Sequence, residues 1–248
     1  MIERIKKAAD KIKKAKRITI LTGAGISKAS GIPTFRGEDG LWGKYSISEF
    51  ATLEAFHKDP KKVWQWYNYR KKLIKQAEPN KAHYVLVELE RIFKDGFALI
   101  TQNIDNLHTK AGNKSVYELH GNIFEVKCLI CNKIYHDQTI YKDDQLPPKC
   151  KYCQSIRTRP NVVWFGESLD VELIKKAMAL AASCDVFISV GTSGGVQPAA
   201  GLPKIAQRMG KYVVEFNAEY SAISMFADDV IIGNAEKTLP MLLNYLTR

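Results

Sequence analysis

The strongest constraint on the fold is a series of short, almost wholly apolar runs that end on small or polar residues and are too short for helices. The first, Ile18, Thr19, Ile20 and Leu21, leads straight into Gly23-Ala24-Gly25. Phe97 to Thr101, Val116 to Leu119, Asn161 to Phe165, Val186 to Val190, Tyr212 to Phe216 and Val230 to Ile232 repeat the pattern. Strands without a polar face are buried on both sides, as parallel strands covered by helices are. Helical spacing fills several of the intervals, at about 82–93, 171–182, 199–209 and 236–247. The alternation predicts an α/β fold, a doubly wound parallel sheet whose ligands sit beyond the carboxyl ends of the strands.

Two stretches break the alternation. Residues 40–80 are helical and aromatic, and residues 124–158 are polar, with cysteines in pairs. We read them as insertions forming a smaller module, so that 1–39, 81–123 and 159–248 make up the larger domain. Cys128 and Cys131 are two residues apart, as are Cys150 and Cys153, and 18 residues separate the pairs. Each pair can wrap a knuckle around one edge of a tetrahedron, and four thiolates predict one closed, structural Zn²⁺ site. The fifth cysteine, Cys184, opens an apolar strand and is expected in the core.

Paired cysteines suit a reducing compartment, and the chain lacks both an 18-residue apolar run and a secretory leader pattern, so no membrane association and a cytoplasmic location are expected. The net charge of +11 is concentrated: the first 17 residues carry eight basic and two acidic side chains. Ile2, Ile5, Ala8 or Ala9, Ile12 and Ala15 recur at helical spacing there, which predicts a helix packed by its isoleucines with a solvated basic face. Nucleic acid is a secondary partner reading for that face.

Thr22-Gly23-Ala24-Gly25-Ile26-Ser27 follows a strand, where glycines let backbone amides approach a pyrophosphate. Alone the turn is weak evidence, since Lys28 stands where a third glycine is usual. Gly191-Thr192-Ser193 closes another apolar strand, and Asn217 and Glu219 close the next. Three such strand ends suit a dinucleotide.

The stretch Gly23-Ala24-Gly25-Ile26-Ser27-Lys28-Ala29-Ser30-Gly31-Ile32-Pro33-Thr34-Phe35-Arg36-Gly37 resembles the signature loop of the sirtuins, NAD⁺-dependent protein lysine deacylases. So do Thr101-Gln102-Asn103-Ile104-Asp105, Leu119-His120-Gly121, Val162-Val163-Trp164-Phe165-Gly166-Glu167 and Gly191-Thr192-Ser193, in the family's order over residues 17–245. The resemblance implies a Rossmann-like domain carrying a smaller zinc-ribbon and helical module, with NAD as co-substrate and acylated lysine side chains of proteins as partners. In sirtuins the acyl-lysine amide oxygen attacks C1′ of the nicotinamide ribose, nicotinamide leaves, and the acyl group ends on ADP-ribose. His120 matches the general base, a role suited to imidazole. Asn103 matches the residue that positions the ribose and a water, and Asp105 the acceptor for the nicotinamide carboxamide. Phe35 resembles the aromatic covering the nicotinamide, and Arg36 would lie near the phosphates. Gly23, Ala24, Gly25, Ser27, Thr34, Trp42, Gln102, Ile104, Gly191, Thr192, Ser193, Asn217, Glu219 and Ala235 match cofactor contacts, whereas Val163, Trp164, Phe165 and Gly166 would pair with substrate backbone.

Asp59-Pro60 predicts a helix start, and the helix after it places Val63, Tyr67, Arg70 and Ile74 on one stripe. Tyr67 and Arg70 are neighbours there, able to present a hydroxyl and a guanidinium to one carboxylate. Tyr67-Asn68-Tyr69-Arg70 resembles the Tyr-x-x-Arg motif of sirtuins that remove succinyl, malonyl and glutaryl groups. Ala51 matches a small residue that enlarges their acyl pocket, and Thr34 stands where many other sirtuins carry Asp. The resemblance thus implies preference for succinyl- and malonyl-lysine, with weaker deacetylation. Gly194-Gly195-Val196-Gln197 departs from the family's bulkier residues, and predicts a looser loop with weaker substrate or NAD⁺ affinity that Gly194→Val should improve. A mono-ADP-ribosyltransferase is the enzymatic alternative. A nucleic-acid-binding or NAD-sensing module is the other, against which Asn103, Asp105 and His120 all speak.

Overall fold

The computed structural model describes residues 1–34, 43 and 46–247. Its centre is a sheet of six strands: β1 (Ile18–Thr22), β2 (Phe97–Thr101), β3 (Val116–Glu118), β7 (Val186–Val190), β8 (Tyr212–Asn217) and β9 (Asp229–Ile232). They lie in the order β3-β2-β1-β7-β8-β9, every neighbouring pair parallel. All five residues of β1, β2 and β7 are buried, which is why their sequences show no polar face. Alternate side chains enter opposite layers. Ile18, Ile20, Leu99, Val186 and Ile188 meet the helices Ile2–Lys13, Lys81–Phe93 and Ala235–Leu246. Leu21, Ile100 and Phe187 meet the helices Val171–Ser183 and Leu202–Arg208, with Cys184 buried beside them as expected. The chain builds outward from β1 through β2 to β3, then returns to β7 on the other side. The gap between β1 and β7 is therefore the topological switch point.

The N-terminal helix buries Ile5, Ala8, Ala9 and Ile12, and Arg4 ties it down by donating to the Val230 carbonyl at 2.9 Å. The helix expected at 199–209 starts as a 3-10 turn, Ala199–Gly201, and becomes α-helical over Leu202–Arg208.

The strand expected at Asn161–Phe165 is displaced. β6 is Thr158–Val162, and it joins β4 (Gly121–Cys128) and β5 (Ile134–His136) in an antiparallel sheet of order β5-β4-β6. This sheet thus crosses the boundaries expected at 123/124 and 158/159. The apolar run marked a strand that leaves the sheet instead: Phe165 N–H donates to the Ala51 carbonyl at 2.9 Å, and Phe165 bridges Thr52. The polar residues before it are the paired ones, and Arg159 is tolerated in the interior because Glu167 neutralises it. A second core forms between this sheet and the helices Leu53–Lys58 and Pro60–Gln76, with Phe56, Trp64, Trp66, Tyr67, Phe124, Val126 and Trp164. Asp59 caps the longer helix through Lys62 N at 2.9 Å, with Pro60 first in the helix, as the sequence predicts.

Candidate active site

A cleft of about 960 Å³ opens at the carboxyl ends of β1, β2, β7 and β8, between the large sheet and the second core. It is at the upper end of the range for small-molecule sites, roughly 300–1,000 Å³, with room for a dinucleotide beside a long side chain. Gly23, Ala24, Gly25 and Thr34 line it, with Gln102, Asn103, Ile104 and His120. Gly191, Thr192, Ser193, Asn217, Glu219 and Ala235 line it from the β7 side, and Ala51, Tyr67, Arg70 and Val163 to Gly166 from the second core. The structure thus brings together residues spread over most of the chain. Phe35, Arg36 and Trp42 lie outside the described residues.

The glycine turn is tied to the neighbouring strand end. The N–H groups of Gly23 and Gly25 donate to the carbonyls of Val190 and Gly191, at 3.0 and 2.8 Å, and so are not the amides that would hold a pyrophosphate. A Cβ on Gly25 would come within 2.7 Å of Gly191 Cα, and one on Gly191, whose φ is +60°, within 2.5 Å of Ile26 N. These glycines let two strand ends close at the switch point, which is what shapes the floor of the cleft. Gly194 is constrained too, with φ +68° and a Cβ position 3.0 Å from Ile223 Cγ1. Valine there strains the backbone, so Gly194→Val does not serve as the affinity test suggested by sequence.

His120 Nδ1 lies 2.9 Å from the Gln102 carbonyl. A carbonyl only accepts, so Nδ1 carries the proton and the neutral ring presents Nε2 as a lone pair. Burial lowers the His120 pKa from its ordinary value, and the Gln102 carbonyl opposes that only in part. The imidazole is accordingly neutral and basic at neutral pH. Gln102 Nε2 donates to Thr192 Oγ1 at 2.9 Å and Asn217 Nδ2 to the Thr192 carbonyl at 3.0 Å, so β2, β7 and β8 are cross-linked at the cleft.

Asn103 commits its amide nitrogen to the Gly23 carbonyl at 3.2 Å and to Ser27 Oγ at 3.3 Å, which turns Oδ1 into its available acceptor. Ser27 and Asp105 stand behind the cleft wall. Asp105 accepts from Ser27 Oγ at 2.7 Å and from Leu107 N at 2.9 Å. Burial raises its pKa, and these two donors with the nearby Arg70 charge oppose the rise.

On the other wall, Ala51, Tyr67 and Arg70 are all buried. The Arg70 guanidinium lies 4.8 Å from the Trp66 ring centre and 5.8 Å from that of Tyr67; burial lowers its pKa, and Tyr67 and Asp105 nearby oppose that in part. Tyr67 is pushed up to about 12, again chiefly by burial, and so keeps its proton. Sequence reasoning missed Glu167, Ala218, Tyr220, Asn234 and Glu236 in the lining. For Asn234 the signal was present, an asparagine just before a helix start.

Away from the cleft, the Sγ atoms of Cys128, Cys131, Cys150 and Cys153 all lie within 4.8 Å of one another. The Cys128–Cys153 and Cys131–Cys150 separations are 3.6 and 3.7 Å. Zn–S bonds of about 2.3 Å imply tetrahedral edges of about 3.8 Å, so the set fits zinc and is far too open for disulfides. Ile130 N and Tyr152 N donate to Cys128 and Cys150 sulfurs at 3.4 Å, the hydrogen bonding of two knuckles. With four protein ligands this zinc site is structural.

Residues 23–198 match the model of the Sir2 family. An NAD-dependent protein deacylase of Pyrococcus furiosus is 50% identical over 235 residues, covering 92% of each chain. One from Aquifex aeolicus is 48% identical over 229 residues, covering 92% of this chain and 95% of that protein. A solved Sir2 homolog–NAD complex superposes with a TM-score of 0.90 at 42% identity, over 97% of this chain and 93% of that one. The chain belongs to the Sir2 family, the sirtuins.

Proposed function

We propose that the protein is an NAD⁺-dependent protein-lysine deacylase whose cleft favours succinyl- and malonyl-lysine over acetyl-lysine. Two observations support the NAD⁺ part: relatives about half identical over nearly the whole chain carry the deacylase name, and a superposable homologue binds NAD. The cleft lies at the switch point and has the volume for the dinucleotide. NAD⁺ supplies the activated bond to nicotinamide and the ribose that takes the acyl group. The chain's residues do the rest: His120 Nε2 removes a proton from a ribose hydroxyl, Asn103 Oδ1 orients the ribose or a water, and Asp105 and Ser27 support the nicotinamide end from behind. Val163 to Gly166 hold the peptide.

The observation that carries the acyl preference is the guanidinium of Arg70, buried among aromatic rings on the same cleft wall as the Tyr67 hydroxyl. A carboxylate at the end of a succinyl or malonyl chain can accept from a guanidinium and a phenol on one cleft wall, and an acetyl group has no carboxylate to offer them. Class and product are tested by incubating succinyl-lysine peptide and NAD⁺ with enzyme and with His120→Ala. The reading predicts nicotinamide, free lysine peptide and O-succinyl-ADP-ribose in equal amounts, and loss of all three in the variant. Nicotinamide released with ADP-ribose left on protein and the peptide still acylated would instead identify a transferase.

A further inference from the structure

The cleft wall that holds Tyr67 is itself held by an ion pair, Arg159 with Glu167. Arg159, on β6, and Glu167, past the end of that strand, are joined by two parallel bonds, Nη1 to Oε1 at 2.6 Å and Nη2 to Oε2 at 2.7 Å. Both groups also grip the chain between them. Arg159 Nη2 donates to the Val162 carbonyl at 2.9 Å, and Glu167 Oε2 accepts from Trp164 N at 2.8 Å. The guanidinium carbon lies over the Trp164 ring, 3.7 Å from its centre. Arg159 is only 8% exposed and Trp164 only 2%, while the Glu167 side chain is 18% exposed at the cleft, so the guanidinium end of this two-point carboxylate bond lies out of bulk water.

Trp164 passes that order on. Its indole Nε1 donates to the Tyr67 hydroxyl oxygen at 2.9 Å. Indole is a donor only, and a phenol has one proton and two acceptor positions. With one acceptor position filled by Trp164, the Tyr67 proton is directed elsewhere, and Tyr67 stands three residues from Arg70 on the same helix. We propose that Arg159 and Glu167 are positioning residues for acyl selectivity: through Trp164 they fix Tyr67 as a hydrogen-bond donor toward the acyl carboxylate. The inference rests on the Tyr67–Arg70 reading above and extends it to Arg159, behind the wall, and Glu167, at the edge of the cleft lining.

The same clasp shapes Val163 to Gly166, so loss of the pair affects peptide binding more than turnover. The test uses the full chain with NAD⁺ and two peptides that differ only in carrying succinyl- or acetyl-lysine. Trp164→Phe keeps an aromatic ring and the ion pair but deletes the indole N–H; Glu167→Gln keeps shape but removes the charge. Both should lower the succinyl-to-acetyl ratio of kcat/KM by about tenfold, the size of one directed hydrogen bond to a charged group. In Glu167→Gln the loss should fall on peptide KM and not on kcat, while Glu167→Asp, which restores the charge at a shorter reach, should recover part of it. A purely structural pair would lower the amount of folded enzyme without moving the ratio. If Glu167→Gln does not fold, Trp164→Phe alone decides. Wild type that favours succinyl and loses the preference in Arg70→Met, yet keeps it in Trp164→Phe and Glu167→Gln, overturns this inference and leaves the acyl reading intact. Wild type with no preference for succinyl overturns both.

Discussion

Gly25→Ala separates two reasons for the glycine turn. If Gly25 exists for a bound phosphate, an added methyl group harms NAD⁺ binding and little else. The structure gives a different answer, because the Cβ would meet Gly191 Cα at 2.7 Å, its carbonyl oxygen at 2.8 Å and its carbonyl carbon at 3.0 Å. All three are backbone atoms, so no side chain can swing away, and β1 and β7 must separate at their ends. Overpacking of this kind costs about 1–3 kcal/mol, and stretching the Gly25–Gly191 hydrogen bond adds about 1 kcal/mol. At about 2–4 °C per kcal/mol for a chain of this size, Tm of the enzyme without NAD⁺ falls by roughly 5–15 °C. Gly31→Ala is the control. Its φ is +82° but nothing lies within 4 Å of its Cβ position, so it bears only the left-handed backbone penalty of about 1–2 kcal/mol. Calorimetry on both variants without NAD⁺, with KM for NAD⁺ measured in parallel, checks the reasoning. A Gly25→Ala enzyme that melts with wild type and merely binds NAD⁺ more weakly would refute it.

Other outcomes follow from the same geometry. Replacing zinc by cobalt should leave kcat within about twofold, because a four-cysteine site has no open position for substrate; a tenfold change in kcat would refute a purely structural metal. Since burial lowers the His120 pKa, the base is lost only as pH falls below the ordinary histidine value near 6.5. The acidic limb of kcat/KM should therefore lie below that value, and a limb above it would contradict the assignment. His83 is pushed down to about 4 by burial, so the unfolded chain takes up its proton first. Its contribution to stability is present above about pH 6.5 and is lost progressively as pH falls toward 4. His83→Gln, which can still accept from Asn80 N, should flatten that part of the stability profile measured by urea unfolding.

The parallel sheet was legible because its strands are buried on both faces, so Phe97–Thr101 and Val186–Val190 read as almost wholly apolar runs of the observed length. The zinc site was legible because close spacing within each cysteine pair fixes the knuckles locally. Thr158–Val162 was not, because a strand with Arg159 and Asn161 in it depends on partners far along the chain. Glu167 lies beyond the strand, and Glu125, which accepts from Asn161 at 2.7 Å, is on β4. The role of Gly23 and Gly25 was hidden for a related reason: the backbone they must accommodate belongs to Gly191, some 166 residues later than Gly25. Tyr67 and Arg70 were visible as helix neighbours, but the indole that fixes Tyr67 arrives from another strand end.

The central claim is that an arginine buried at the end of the acyl pocket selects a carboxylate. One competition experiment tests it directly: equimolar succinyl-, malonyl- and acetyl-lysine forms of one peptide in a single tube, with NAD⁺ and either wild type or Arg70→Met, followed by mass spectrometry. The account predicts that wild type consumes the succinyl and malonyl peptides first and that Arg70→Met reverses the order toward acetyl. Acetyl consumed first by wild type, or an order that Arg70→Met leaves unchanged, would contradict it.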